Sequence, residues 1–80
     1  MTTSTFEERY AAECRTLGRT YRLVRHAVGL HQRELAPRLG ISHSTLSKYE
    51  RGSTAQPLDF RHRFARVAAD IILERRAATR

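Results

Sequence analysis

The side chains able to do covalent or metal chemistry are few in this chain, and they are scattered. His26, His31, His43 and His62 have no metal-ligand spacing, and no HExxH pattern occurs. Cys14 is the lone cysteine, with no acid or histidine at helical spacing to activate it, so a buried thiol is expected rather than a nucleophile. The acidic residues form no pair suited to acid–base work. No enzyme, cofactor or metal is expected. What remains is charge: 80 residues carry a formal net charge of +7, with a pI of about 11.0. That balance favours a polyanionic partner, nucleic acid first and an anionic membrane surface second. Fourteen of the fifteen basic residues are Arg and only Lys48 is Lys. This bias fits a GC-rich bacterial or phage coding sequence and adds no weight to nucleic acid.

The elements that must position this charge are legible around residues 32–51. Leu35, Leu39, Ile41, Leu46 and Tyr49 can face inward together from two short helices. Ala36 falls where those helices would press together, and Gly40 falls at the turn, where a positive φ suits glycine. Ser42 is placed to cap the second helix by accepting from the amide of Ser44 or Thr45. The pattern is a helix-turn-helix, whose second helix, about 43–50, is shaped for a DNA major groove.

Two longer helices flank this core. Ser4 with Glu7, or Thr5 with Glu8, has capping-box spacing. Phe6, Tyr10, Cys14, Leu17, Tyr21, Val24 and Val28 then recur at intervals of three and four, which predicts a helix over 5–28 ending at Gly29. Glu7, Glu8, Arg9, Arg15, Arg19 and Arg22 lie off that stripe. Gly18 is expected to weaken or bend the helix. Pro37 should kink the helix that begins at Gln32 or open one of its turns, since it removes a donor and crowds the carbonyl of Arg33. After a loop over 53–56, Pro57 opens a last helix over 57–76 bearing Phe60, Phe64, Val67, Ala68, Ile71 and Ile72. With no strand pattern, the fold class is all-α. A single domain over 1–80 is expected. One free cysteine and no leader or long apolar run suggest a cytoplasmic protein that does not cross a membrane.

Arg25, Gly29-Leu30, Gln32, Glu34-Leu35-Ala36, Leu39-Gly40-Ile41-Ser42 and Tyr49-Glu50-Arg51-Gly52 resemble the Cro/phage-repressor (XRE-type) helix-turn-helix family over residues 21–70. The resemblance implies a compact four- to five-helix, lambda-repressor-like bundle, here with extended first and last helices. It also implies a homodimer on a palindromic operator in double-stranded DNA. Gln32 and Ser42 would then bond phosphate, and helix N-termini suit anions for the same reason. His43, Ser44, Ser47 and Lys48 would read base edges, Lys48 by donating to guanine. Arg51, with Arg33 and Arg38, would neutralise phosphate. Arg25 and Glu50 match a pair that forms a salt bridge in the family. His31 replaces the usual Ser or Thr cap before Gln32.

Three functions compete on these residues. The first is a transcriptional regulator of repressor type. The second is a protein-interaction or antitoxin-like module using the same fold, suggested by the apolar outer helices. The third, membrane contact through Arg61, Arg63, Arg66, Arg75 and Arg76, is the weakest fit to the pattern. Phe6, Tyr10 and Cys14 either pack on Phe64, Ile71 and Ile72 of their own chain or are shared between two chains.

Overall fold

The structure, a computed structural model, describes residues 5–78. Four helices follow one another: α1 (Phe6–Ala27), α2 (Gln32–Leu39), α3 (His43–Arg51) and α4 (Leu58–Ala78). No strand occurs among the described residues. The fold class is all-α, a small helix-turn-helix bundle.

Local chemistry sets the helix boundaries. At the start of α1 the Thr5 hydroxyl accepts from the Glu8 amide at 3.1 Å, and the Glu8 carboxylate accepts from the Thr5 amide at 3.2 Å. This reciprocal box satisfies donors that a helix start otherwise leaves orphaned. The alternative cap at Ser4 lies outside the described residues. The first three helices end alike. The amides of Gly29, Gly40 and Gly52 turn back to the carbonyls of His26, Pro37 and Tyr49. The next amides, of Leu30, Ile41 and Ser53, reach Arg25, Ala36 and Lys48. This is the Schellman closure, and at Gly40 its φ of 71° is what makes the turn into α3 so short.

The core is built from Val28, Leu35, Ala36, Leu39, Leu46, Phe60, Phe64 and Ile71. Tyr21 packs edge-on against Phe60 and Phe64 at centroid distances of 5.1 and 4.7 Å, and Tyr49 meets Phe60 at 4.6 Å. α4 therefore closes the bundle by covering the later half of α1 and the backs of α2 and α3. The Ala36 side chain is buried where α2 meets the rest of the core.

Neither Gly18 nor Pro37 breaks its helix. α1 is continuous through Gly18, and α2 continues through Pro37 to Leu39. Gly18 is a packing position instead. A Cβ there would lie 2.5 Å from the carbonyl oxygens of both Tyr49 and Glu50, so only glycine allows α1 to cross α3 this closely. Pro37 and Arg33 are both exposed, so the carbonyl left without a donor lies on the solvent side of a two-turn helix.

The outer ends depart from the periodic stripe. Phe6 is 81% exposed and Tyr10 49%, and their rings stack on one another at 6.2 Å rather than on the core. Ile72 and Leu73 are exposed as well. Same-chain packing of Phe6 and Tyr10 on Phe64, Ile71 and Ile72 thus does not occur, although Cys14 is buried. The reason is length: α1 extends past the end of α3, which meets it at Cys14 and Arg15, and no other described element follows it there. The molecule measures 57 × 24 × 19 Å.

Candidate nucleic-acid interface

α3 is held from behind by a polar network. Arg25 donates from Nε to Glu50 Oε2 at 2.7 Å and from Nη2 to Oε1 at 2.9 Å. The remaining Nη1 donates to the Leu30 carbonyl at 2.9 Å. The two side chains are only 8% and 2% exposed. A buried carboxylate in this setting depends on its bidentate partner and on the neighbouring donors. Gln32 supplies one more, from Nε2 to Glu50 Oε1 at 2.9 Å, while its Oε1 lies 2.8 Å from His43 Nε2. One chain of polar contacts thus links α1, the start of α2 and both ends of α3.

Gln56 adds a second lock that the sequence did not reveal. It sits in what reads as a polar loop, yet it is buried, and its Nε2 donates to the carbonyls of Cys14 at 3.0 Å and Tyr49 at 2.8 Å. No local signal marks it, because both acceptors are backbone atoms brought together only by the α1–α3 crossing.

The front of α3 is different. Ser44, Ser47, Lys48 and Arg51 follow one another at i, i+3, i+4 and i+7, so they share one face of the helix. Ser44, Lys48 and Arg51 are exposed and Ser47 is half-buried. None of these four side chains makes a hydrogen bond or ion pair among the described residues. His43 is exposed at the N-terminal edge of this face, where its contact with Gln32 holds it. Ser42 caps α3 by accepting from the Thr45 amide at 3.0 Å. At the start of α2 the Glu34 carboxylate takes the His31 amide at 3.0 Å, which offsets the absence of a Ser or Thr there.

The two helix starts lie side by side, and His31, Arg33, Glu34 and His43 line one shallow groove between them. The first amides of a helix have no partner within it. Backbone donors at Gln32 and Arg33, and at His43 and Ser44, are therefore directed towards this edge. The Gln32 side chain is already engaged at both ends, so an anion here would meet the amides first. Arg38 lies elsewhere, paired with Glu74 of α4 at 2.9 Å in an exposed contact. Among the described residues no group of three or more His, Cys, Asp or Glu could hold a metal ion. Nor is any described helix long and apolar enough to cross a membrane.

Two short helices joined by a left-handed glycine turn, the second fixed from behind and bare in front, define a helix-turn-helix fold. Residues 16–69 match the helix-turn-helix domain family, and the chain belongs to it. A domain of this kind presents its second helix to DNA, so duplex DNA is the partner class that membership indicates. No match was found among curated proteins or among solved structures.

Proposed function

We propose that this protein is a sequence-specific transcriptional regulator of the XRE-like, repressor type. It binds a palindromic operator as a homodimer, with the recognition helix of each protomer, residues 43–50, in the major groove. The observation that carries this reading is the unpartnered polar face of α3 set against a buried back. His43, Ser44, Ser47 and Lys48 read base edges, Lys48 by donating to N7 and O6 of a guanine. Ser42, Gln32 and Arg33 serve the phosphates at the N-terminal edge, chiefly through the free amides and helix dipoles there. Arg51 neutralises phosphate at the other end, and Arg38 can reach one only by leaving Glu74.

Dimerisation follows from the small footprint of one recognition helix. A two-fold axis adds a second half-site about 34 Å away, one turn of B-DNA. The exposed Phe6 and Tyr10 favour a protein-facing role for the first turns of α1, either between two copies or towards another protein.

Selection of duplexes from a random pool tests the reading, and a reproducible inverted repeat is the expected result. Lys48→Ala should then weaken the selected site by about 1–3 kcal/mol and relax preference at one base pair per half-site. A wild-type protein that enriches no motif, or a Lys48→Ala variant with unchanged preference, would overturn it.

A further inference from the structure

We propose that Arg15, Arg19 and Arg22 of α1 join Arg51 of α3 in a cationic groove that grips the DNA phosphate backbone beyond the C-terminal end of the recognition helix. This rests on the DNA-binding reading above and extends it to a helix outside the helix-turn-helix. The four arginines line a single concavity with Glu50 at its side. None of them has an ion pair or hydrogen bond among the described residues. The one carboxylate present does not neutralise them, because Glu50 is taken up by Arg25 and Gln32.

The backbone brings these residues together. Gly18 lies three residues from Arg15 and four from Arg22, and it is the point where α1 touches the end of α3. Gly52, just after α3, packs against the backbone of Arg15 itself. The arginines at 15, 19 and 22 follow the i, i+4, i+7 rule, so they form one row beside the crossing, about 10 Å long. Projected on the duplex axis, that length spans about three phosphates of one strand. Like charges at these spacings weaken a helix by themselves. Arg38 and Arg63, by contrast, are paired with Glu74 and Asp59.

The position relative to the base-reading face identifies the ligand. Arg51 belongs both to that face and to the groove, which makes the two surfaces continuous. A helix seated in the major groove has a phosphate ridge on either flank. The helix starts of α2 and α3 face one ridge, and the arginine row lies at the opposite end of α3. A concave, low-dielectric wall also concentrates positive potential where a polyanion would pass.

The test compares wild type with the triple variant Arg15→Gln, Arg19→Gln, Arg22→Gln on the selected duplex. Affinity is measured from about 50 to 200 mM salt, together with phosphate-ethylation interference. The variant should lower the salt slope by about 2–3 per protomer, lose interference on one flank only, and keep the same preferred motif. The corresponding triple lysine variant should retain most of the slope, because charge at these sites is what matters. A glutamine triple with wild-type slope and interference would overturn the groove alone. A variant that merely melts at lower temperature, with slope intact, would do the same by making the row a structural feature of α3. Failure of the wild type to select any duplex would remove the DNA reading and the groove together.

Discussion

The two halves of α1 obey the same apolar spacing and meet opposite fates. From Cys14 to Val28 the helix is bound on several sides: Gly18 against α3, Arg25 to Glu50, the Cys14 carbonyl to Gln56, and Tyr21 among the rings of α4. From Phe6 to Tyr10 it is a capped helix with its two aromatic side chains in solvent. Periodicity reports that a face is apolar, not what lies opposite it. The contrast separates the part of α1 that is locked to α3 from the part whose aromatic side chains are left in solvent.

The largest effect should come from splitting the buried ion pair. Arg25→Ala strands the Glu50 carboxylate, and a loss of about 3–5 kcal/mol in folding stability is expected in denaturant titrations. Replacing both members, Arg25→Met with Glu50→Leu, should recover much of it, since the penalty is for an unpaired buried charge. A loss under about 1 kcal/mol from Arg25→Ala would show that the pair does not anchor the crossing.

Gly18→Ala comes next. The added methyl meets two backbone carbonyls that cannot swing aside, so α1 and α3 must separate, at a cost of about 3 kcal/mol. In a merely soft helix the same change would stabilise by up to about 1 kcal/mol. The sign of the change in thermal midpoint therefore decides between the two.

Tyr21 gives a smaller, pH-dependent effect. Burial raises its phenol above the ordinary value of 10.0, partly opposed by the nearby Arg61 charge. The folded state thus holds this proton more tightly than the unfolded state. Its contribution is complete below pH 10 and is lost as pH rises through the folded value. Tyr21→Phe should flatten stability against pH in that alkaline window, and an unchanged profile would show that another group sets it.

The smallest effect on folding is expected from the free half. Phe6→Ser with Tyr10→Ser should change monomer stability by no more than about 0.5 kcal/mol. Sedimentation of the same variant would show whether these rings hold two chains together: a shift towards monomer assigns them to the dimer, and none assigns them elsewhere.

Much of the fold is written locally. The Thr5–Glu8 box, the glycines at 29, 40 and 52, the Ser42 cap and the apolar repeats each act within a few residues, so the four helices and their ends could be read from the chain. At Gly18 the same locality registered only a weak helix former, and at Pro37 only a lost donor. Tertiary approach explains the glycine, and solvent tolerates the proline in a short helix. The front of α3 was equally legible, because i, i+3, i+4, i+7 is a property of a single helix.

The sequence by itself determined which residues form helices and which face of each is apolar, because hydrogen-bond closure and side-chain periodicity depend on near neighbours. Only the tertiary structure decided what those faces meet. The Arg25–Glu50 contact was legible only through the family resemblance, whereas the bridge from Gln56 and the groove shared by Arg15, Arg19, Arg22 and Arg51 join residues far apart in the chain, or backbone atoms with no side-chain signature. They exist because one glycine lets two helices touch, and that closeness is a distance in space rather than a pattern along the chain.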